Sequence, residues 1–499
     1  MSDLPVYQMF VGGEHVPSAS GKTFEVENPA RGEAIALVSE GDEKDIDGAV
    51  RVAEKAFRTW GKTSGEERSN ILARAAEILA ERLEEFVRIE VDQTGRAYRE
   101  MSAQLARLPE WYAYFGALAR THEDTVPPFG GNYLNYTRRV PLGVVGHVTP
   151  WNHPLLILTK KVAPALAGGN TIVAKPSEVA PLTPIMLGDV LSEAGLPDGV
   201  YNVVPGFGST AGLALTSHPG IRKVDLTGGT ETGKAVASIA GKNLVRVGAE
   251  LGGKASSLIF EDTDVDNAVS GALFASFVAG GQTCVQGARA LVHRSIYDEF
   301  VEKLAERAKR ITLGDPQDSA TQMGPLVSEK QLNRVEEYVE IGVEEGANLV
   351  AGGRRITDPP YDKGYFYPPT VFADVKNEMR VAQEEIFGPV VCVIPFDTEE
   401  EAVSLANATE FGLAGAIWTN DVGRAHRVAH QLEIGVIWIN DHHRIDPASP
   451  WGGFKMSGIG RENGIEAYHE YTQTQNIIVN LSEEHFDWFV EDVTGKRYS

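Results

Sequence analysis

The sequence predicts an α/β protein with two doubly wound domains, each built around a parallel sheet. Three observations predict this fold. Short apolar runs alternate with helical ones between about 140 and 251, and a second alternating region begins at 255. Such alternation is typical of parallel sheets that carry helices on both faces. The chain is also long enough, since 499 residues, 42% of them hydrophobic, can bury two or three separate cores.

The first part of the chain is predicted to fold as a small sheet followed by two helices. Residues 5–40 contain short β-like runs, which a Gly-Gly pair and an Asn-Pro pair interrupt. Apolar residues then recur at helical spacing over 46–60 and over 66–91. We therefore expect one amphipathic helix over each of these two segments.

The two alternating regions supply the strands and helices of the predicted sheets. In the first region GVVGHV, TIVAK, YNVVPG and KVDLTG are strand-like, and PLLILTKKVAPAL and PIMLGDVLSEAG are helical. In the second, the strand-like runs are ASSLIF, ARALVH, TVFADV, VVCVIPF, AGAIWTN and GVIWIN, with a helix near 296–310. Parallel sheets bind ligands at the carboxyl ends of their strands, so functional residues are expected in the loops that follow these runs.

The composition argues against several classes of partner. The net charge is −23, so electrostatic binding to nucleic acid or to an anionic membrane is not expected. Two uncharged windows, 142–159 and 267–288, contain proline or several glycines and are expected to be buried in the protein. The two cysteines, Cys284 and Cys392, have neither disulfide-framework nor zinc-ligand spacing, and no metal site is predicted. The opening MSDLPVYQMF does not resemble a signal peptide, so a cytoplasmic, reducing location is expected.

Two turns after strands of the first region have features of a nucleotide site. Gly228 and Gly233 in LTGGTETGKAV lie where a strand ends and a helix begins, a place where backbone N–H groups can approach phosphates. Lys175 and Glu178 in TIVAKPSE follow another strand and are able to hydrogen-bond ribose hydroxyls. On local sequence alone, an ordinary turn is the favoured interpretation of both segments.

Three further residues have side chains suited to catalysis. Glu250 lies in the nearly uncharged VGAELGGK, where a carboxylate is either paired with a cation or kept for proton transfer. Asn152 in TPWNHP either donates a hydrogen bond to an oxyanion or holds the turn. Cys284 in GGQTC is either a nucleophile or a small buried hydrophobe, and a lone cysteine is more often the latter.

The order of these motifs resembles that of the NAD(P)-dependent aldehyde dehydrogenase superfamily. PWNHP, KPSE, the Gly228–Gly233 turn, ELGGK, GQTC, EEIFGPV and PWGGFKMSGIGRE follow one another across essentially the whole chain. The resemblance implies that Cys284 is the nucleophile, that Glu250 activates the hydrolytic water, and that Asn152 donates into the oxyanion hole beside the backbone N–H of Cys284. The implied reaction oxidises an aldehyde to a carboxylate through a thiohemiacetal and a thioester on the cysteine.

The same resemblance implies NAD as the cofactor, with NADP less favoured. Lys175 and Glu178 match the adenine-ribose contacts, and the carboxylate of Glu178 would repel a 2′-phosphate. Glu385 and Phe387 match the nicotinamide-ribose contact and the residue that packs on nicotinamide. The cofactor-binding residues implied are Thr149, Trp151, Lys175, Glu178, Gly228, Gly229, Gly233, Leu251, Glu385 and Phe387.

The family's organisation also implies domain boundaries. A Rossmann-like NAD-binding domain takes 1–121 and 142–251, a catalytic thiol domain takes 252–440, and 441–470 returns to the cofactor domain. Residues 122–141 and 471–499 form a projecting β oligomerisation element and a tail, which implies a homodimer or a homotetramer. The aromatic residues in the acidic segment SEEHFDWFVED suggest that the tail docks against another subunit.

The sequence departs from the family at the expected substrate tunnel. Lys160 and His153 replace apolar or aromatic residues, and His442, His443 and Arg444 lie in the loop at the tunnel mouth. A cationic cluster there favours an aldehyde that carries a carboxylate, such as a semialdehyde. The alternatives are a neutral aromatic or aliphatic aldehyde and a betaine-aldehyde-type trimethylammonium substrate. The aromatic residues considered for a neutral substrate are Trp111, Tyr112, Phe115 and Trp451.

Two other classes of function stay open from the sequence. One is a CoA-acylating aldehyde dehydrogenase, and the other is a non-catalytic relative with the same fold. Glu250 favours hydrolysis over transfer to CoA. The joint presence of Cys284, Glu250 and Asn152 disfavours a purely structural protein.

Overall fold

The computed structural model describes residues 4–483 and Phe489. It confirms the predicted α/β fold, in which helices cover mixed, mainly parallel sheets. The strands are β1 Val6–Tyr7, β2 Met9–Val11, β3 Glu14–Val16, β4 Thr23–Asn28, β5 Glu33–Ser39, β6 Tyr133–Pro141, β7 Val144–Thr149, β8 Thr171–Pro176, β9 Tyr201–Val203, β10 Ile221–Thr227, β11 Arg246–Glu250, β12 Ser256–Ile259, β13 Arg289–His293, β14 Asn348–Ala351, β15 Thr370–Ala373, β16 Val390–Phe396, β17 Phe411–Gly412, β18 Ala414–Trp418, β19 Val436–Ile439, β20 Phe454–Lys455, β21 Gly458–Ile459 and β22 Thr472–Asn480.

The α-helices connect these strands and enclose the sheets. They are α1 Glu43–Trp60, α2 Gly65–Glu81, α3 Leu83–Thr94, α4 Tyr98–Leu105, α5 Leu108–Thr121, α6 Pro154–Ala167, α7 Leu182–Glu193, α8 Leu213–Ser217, α9 Thr230–Lys242, α10 Val265–Phe277, α11 Tyr297–Ala308, α12 Glu329–Glu344, α13 Arg380–Gln383, α14 Glu399–Asn407, α15 Val422–Ala429 and α16 Gly464–Glu470.

Two large sheets organise the described residues. The first has the strand order β21-β11-β10-β7-β8-β9-β2-β3, and its five central strands run parallel. The second has the order β14-β15-β16-β13-β12-β18-β19 and is parallel apart from its edge strand β14. Each sheet carries a hydrophobic core on both faces, which explains why strand β8 is buried at every residue.

One predicted helix is divided in two. The segment 66–91 was expected to be continuous, but α2 ends at Glu81 and α3 begins at Leu83. Arg82, with φ −96° and ψ 10°, lies between them and pairs with Glu85 at 2.9 Å. Phe86 and Val91 of α3 pack into the same core as the apolar residues of α2. The apolar spacing in the sequence therefore continues across the break between the two helices.

Two smaller pairings concern the carboxyl-terminal part of the chain. Strand β21 pairs antiparallel with β11 at the edge of the first sheet. Strands β6 and β22 form a separate two-stranded antiparallel sheet, with the exposed apolar residues Leu134 and Ile478. The domain boundaries and the role of this element in oligomerisation stay predictions, and most of the acidic tail segment lies outside the described residues. Within the described part, no helix is both long enough and apolar enough to cross a membrane.

Candidate active site

The loop before β13 places Cys284 beside the first sheet. After α10 the chain makes a tight turn in which Ala279, Gly280 and Gly281 have φ of 57°, 60° and 71°. A side chain at Gly281 would come within 2.1 Å of the Gly388 carbonyl oxygen, so glycine is required there. This turn presents Cys284 to a cavity at the carboxyl ends of β10 and β11.

The cavity brings together residues from both halves of the chain. Thr227 and Glu250 are the last residues of β10 and β11, and Cys284 comes from the loop between α10 and β13. The full lining consists of Gln104, His153, Leu156, Ile157, Lys160, Thr227, Glu250, Thr283, Cys284, Val285, His443, Ile445, Trp451 and Glu462. The site is therefore at the strand edge where a doubly wound sheet binds ligands.

The thiol of Cys284 is neutral in this environment. Its pKa is raised to about 12, chiefly by burial; the ammonium of Lys160 lowers it, and the nearby carboxylates act with burial. A thiol is a weak nucleophile compared with its thiolate. Attack by Cys284 therefore requires a group that takes its proton.

Glu250 has the properties of such a proton acceptor in its ionised form. Burial, followed by the negative charge of Glu462, raises its pKa to about 8, whereas Lys160 and Lys161 lower it. Its Oε2 atom is buried without a hydrogen-bond partner among the residues described. The carboxyl group is thus not committed to a structural ion pair, which was one of the two interpretations the sequence allowed.

Asn152 lies between β7 and α6 and is buried, although it is not one of the residues that line the cavity. Its backbone carbonyl oxygen accepts from Nη1 of Arg96 at 3.4 Å. The next residue, His153, is the N-cap of α6 and does line the cavity. The turn that follows β7 is therefore fixed by Arg96 beside the site.

A buried ionic network, which we define as Lys160, Lys161, Lys223, Asp225 and Glu462, borders the cavity. Lys160 pairs with Glu462, and its Nζ lies 4.6 Å from the centre of the Trp451 ring. Lys161 pairs with Asp225 and with Glu462, the latter at 2.6 Å. Lys223 lies 3.5 Å from Asp225 and 3.1 Å from the partly exposed Glu470.

The ionic network contains one functional candidate that the sequence reasoning missed. Glu462 was part of the quoted PWGGFKMSGIGRE motif, but no role was given to it. A signal was present in α6, where two adjacent lysines interrupt an otherwise apolar helix. Buried cations need anionic partners, so this pair required carboxylates from elsewhere in the chain.

A second polar group, which we call the histidine cluster, consists of Arg96, Glu100, Gln104, His153 and His443. Nη1 of Arg96 lies 2.6 Å from Nδ1 of His153 and 3.1 Å from Oε1 of Gln104. The same guanidinium pairs with Glu100 at 3.1 Å. Oε1 of Glu100 in turn accepts from the backbone N–H of Ala279 at 2.9 Å, which ties the cluster to the turn that carries Cys284.

Of the residues expected to form a cationic cluster, Lys160 brings its ammonium to the cavity, where it pairs with Glu462, whereas the histidines and Arg444 add no charge there. Burial lowers the pKa of His442 to about 4, and burial together with neighbouring charges lowers the pKa of His153 and His443 well below the ordinary range. Nε2 of His442 is hydrogen-bonded to the backbone carbonyl oxygen of Val285 at 2.8 Å, and His442 is not among the lining residues. Arg444 is 81% exposed and pairs with Asp441 at 3.0 Å.

The aromatic residues expected in the tunnel divide between core and cavity. Trp111 is fully buried in α5, and its Nε1 donates to Oδ1 of Asn463 at 2.8 Å. Tyr112 and Phe115 belong to the same core. Only Trp451 of the four lines the cavity. Helical spacing in α5 explains this placement, because its apolar face packs against α2 and α6.

Several of the implied cofactor residues, among them Lys175, Glu178, Gly228 and Gly229, lie at or after the carboxyl ends of β8 and β10 in the first sheet. Nζ of Lys175 is 3.3 Å from Oε2 of Glu178, and Gly229 is the N-cap of α9 with open space where a Cβ would stand. Gly233 packs on Leu251, whose side chain leaves no room for a Cβ. Open space before a helix N-terminus suits a phosphate.

The nicotinamide side of the implied site has matching features. Oε1 of Glu385 accepts from the backbone N–H of Gly253 at 2.9 Å, and burial raises the pKa of Glu385 to about 7. The rings of Trp151 and Phe387 meet edge to face at 5.3 Å. Oγ1 of Thr149 is buried without a partner in the described part of the chain. This combination of a carboxylate, aromatic rings and an unpaired hydroxyl fits a dinucleotide. Among residues 4–483 and Phe489, no three His, Cys, Asp or Glu side chains are grouped so that they could hold a metal.

Comparisons with a family model and with solved structures all point to the same family. The model of the "Aldehyde dehydrogenase family" matches residues 15–477. An aldehyde dehydrogenase from Bacillus cereus, solved as a NAD+ complex, is 42% identical over 95% of this chain and 97% of that chain, with a TM-score of 0.93. Betaine aldehyde dehydrogenase from Staphylococcus aureus, solved with NAD+, is 39% identical over 97% of both chains, with a TM-score of 0.95.

Proposed function

The chain belongs to the aldehyde dehydrogenase family, and from this premise we propose that it oxidises an aldehyde to a carboxylate with NAD, using Cys284 as the nucleophile. The observation that carries the proposal is the meeting of Cys284 with the unpaired carboxyl group of Glu250 in one cavity. The neighbouring turns have the donor groups that a dinucleotide requires.

The first step requires the thiol proton to leave. Glu250, when ionised, accepts it directly or through a water, and the thiolate attacks the aldehyde carbon. The resulting oxyanion on the thiohemiacetal is stabilised by the side-chain amide of Asn152 and by the backbone N–H of Cys284. Arg96 supports this arrangement because it donates a hydrogen bond to the backbone carbonyl oxygen of Asn152 and so helps to fix the turn.

NAD would be held by the turn at Gly228 and Gly229, by Lys175 and Glu178, and by Glu385 and Phe387. When bound, its nicotinamide supplies the acceptor for the hydride that leaves the thiohemiacetal. We propose NAD over NADP because the Glu178 carboxylate would repel a 2′-phosphate, although the Lys175 ammonium lies 3.3 Å away and offsets part of this repulsion.

Release of the product is proposed to occur by hydrolysis. Glu250 takes a proton from the water that attacks the thioester, and the carboxylic acid leaves while the cysteine recovers its thiol. A CoA-acylating enzyme would need no such base at this point. The related betaine aldehyde dehydrogenase shows that a trimethylammonium substrate occurs in the family, but here Lys160 lies over Trp451 where an aromatic box would need to be open.

The experiment that tests this function is an assay of NADH formation with a panel of simple aldehydes, each measured with NAD or NADP and with or without CoA. We expect NADH with NAD, free carboxylic acid as the product, and no acceleration by CoA. Glu250→Gln should leave a single-turnover burst of NADH and slow the steady state, since deacylation loses its base. Acyl-CoA as the product would contradict the hydrolytic mechanism.

We also propose a homodimer or a homotetramer, because the β6–β22 sheet presents exposed apolar residues and free edges. Light scattering at micromolar concentration tests this, and a monomer would contradict it.

A further inference from the structure

Two turns from different parts of the fold have to meet in the proposed reaction. Asn152 lies in the turn after β7 of the first sheet, whereas Cys284 follows the tight turn after α10 and packs against a core of the second sheet. One proposed oxyanion donor comes from each turn, so the spacing of the donors depends on contacts between the turns. Errors in such spacing are costly, since a displacement of about 1 Å can lower a rate roughly a hundredfold.

The ion pair of Arg96 with Glu100 joins these two turns. Nε and Nη2 of Arg96 donate to Oε2 of Glu100 at 3.2 and 3.1 Å. Nη1 of the same guanidinium, which can only donate, is 3.4 Å from the backbone carbonyl oxygen of Asn152 and 2.6 Å from Nδ1 of His153. On the other side, Oε1 of Glu100 accepts from the backbone N–H of Ala279 at 2.9 Å. A continuous chain of hydrogen bonds therefore runs from the turn after β7 to the turn after α10.

Ala279 has a backbone conformation that its neighbours must hold in place. Its φ of 57° and ψ of 23° are left-handed, which is unfavourable for a residue that has a Cβ. Such a conformation persists where the surrounding structure fixes it, and it is common at functional sites. The backbone carbonyl oxygen of Ala279 is fixed from within the turn, by the backbone N–H of Gln282 at 3.0 Å. Its N–H is fixed from outside the turn, by Glu100 of α4.

The pair is enclosed and is anchored on the core of the first sheet. The side chain of Arg96 is 4% exposed and that of Glu100 is 13% exposed. Helix α4, which carries Glu100, packs into that core through Met101 and Leu105. Solvent screens an enclosed pair much less than an exposed one, so this pair can keep one geometry. A carboxylate fixed on one core thus holds a turn that packs on the other.

We infer that Arg96 and Glu100 are positioning residues, which keep Cys284 in register with the side-chain amide of Asn152 so that the two oxyanion donors converge on one oxygen atom. Neither side chain of the pair lines the cavity, so both act through the two turns. The step that depends on them is the attack on the aldehyde, in which sulfur bonds to the carbonyl carbon and the oxygen takes the negative charge. The inference rests on the proposed function and adds residues that the reaction requires.

A comparison of two reactions of Cys284 tests the inference. Oxidation of benzaldehyde, measured as NADH formed in a single turnover, passes through the oxyanion. Alkylation by iodoacetamide needs the same thiol proton to leave but forms no oxyanion. We expect Glu100→Leu and Arg96→Met each to slow oxidation about 10- to 100-fold and alkylation by less than about threefold. The mass of the modified peptide identifies the alkylated residue, and Cys392 is fully buried.

A double variant that combines Arg96→Met with Glu100→Leu separates positioning from folding. Each single change leaves a buried group without its partner and should lower the urea midpoint of unfolding, whereas the double change removes both charges and should restore most of that loss. Oxidation should stay slow in the double variant, because the link between the turns is still missing. The double variant also carries the test if a single variant does not fold.

The matched control combines Glu306→Leu with Arg310→Met. It removes an exposed ion pair at the end of α11 that has the same four-residue spacing. Exposed pairs contribute little, so neither reaction of Cys284 should change by more than about twofold.

Three results would overturn the inference and leave the dehydrogenase function standing. They are unchanged oxidation in the variants, recovery of oxidation together with stability in the double variant, and an equal loss of oxidation and alkylation, which would place the effect on the thiol itself. Acetaldehyde replaces benzaldehyde if the unmodified enzyme does not oxidise the latter. An absence of NADH with every aldehyde would overturn the proposed function.

Discussion

The ionic network and the histidine cluster border the same cavity but are built on opposite principles. In the ionic network, full charges are buried against one another, as in the pairing of Lys161 with both Asp225 and Glu462. In the histidine cluster, one ion pair is enclosed and the groups that reach the cavity are neutral rings and an amide. The difference teaches that polarity at this site takes two forms, since the charges of the ionic network act on the proton affinity of the buried Glu250, whereas the histidine cluster presents neutral groups to the cavity.

The largest effect is expected when the proposed nucleophile, Cys284, is removed from the cavity that both clusters border. Cys284→Ala should lower NADH formation by at least about 10⁴-fold, because no other thiol in the cavity can form the thiohemiacetal. Binding of NAD, followed by protein fluorescence, and the unfolding midpoint should stay near their original values. Cys392→Ala is the control, since that thiol is buried in the second core and should leave activity largely intact.

The next largest effect is expected on the free energy of unfolding when the ionic network alone is broken. Lys161→Met leaves Asp225 and Glu462 short of a buried cation, and breaking such a pair costs about 3–5 kcal/mol of unfolding free energy. The measurement is urea unfolding. Lys234→Met, which removes an exposed pair with Glu231, should cost no more than about 1 kcal/mol. Equal losses in the two variants would show that the buried network contributes nothing special to stability.

The two clusters also differ in how far the sequence predicts them. Cys284, Glu250 and the turn at Gly228 were predicted as site residues because their motifs follow one another in the order typical of the family, whereas local sequence alone favoured a buried cysteine and an ordinary turn and left Glu250 undecided. Glu462 was missed because its role depends on lysines some 300 positions away, which only the tertiary fold brings near. For the same reason Trp111 and Tyr112 were expected in the tunnel, whereas α5 turns both toward the core.

The charge state of the residues near the cavity was likewise not predictable from the sequence. His442, His443 and Arg444 are adjacent basic residues, and a cationic cluster was the natural prediction from sequence. Burial makes the two histidines neutral, and Arg444 extends into solvent. The degree of burial of each side chain depends on contacts with Phe274 and Trp438, which the local sequence does not encode. The overall fold was predictable because the alternation of strands and helices is a local pattern.

A smaller effect tests how the ionic network controls Glu250. With a pKa of about 8, Glu250 is mostly protonated at pH 7 and mostly ionised at pH 9. Since only the ionised form accepts a proton, kcat/KM should rise about tenfold over this interval. Ionisation of the thiol would instead give a rise that continues beyond pH 9 without levelling off, because the pKa of Cys284 is about 12.

The variant Lys160→Met sharpens the same test. The ammonium of Lys160 favours the charged form of Glu250, so its loss should raise the pKa of Glu250 and move the rising limb to higher pH. His153→Phe, in the histidine cluster, should change substrate preference but leave the midpoint of the limb in place. A shift in both variants would mean that the two clusters are not separate in function.

The smallest effect is expected for Arg444, and it tests whether the charge of this residue influences kcat/KM. Its guanidinium is 81% exposed, pairs with Asp441 and does not line the cavity. An exposed charge in water acts weakly and is screened by salt. Arg444→Ala should therefore change kcat/KM by less than about twofold for 4-formylbenzoate and for benzaldehyde alike, at low and at high ionic strength. A larger, salt-sensitive loss confined to 4-formylbenzoate would instead favour the carboxylate-bearing substrate that the adjacent basic residues in the sequence predict.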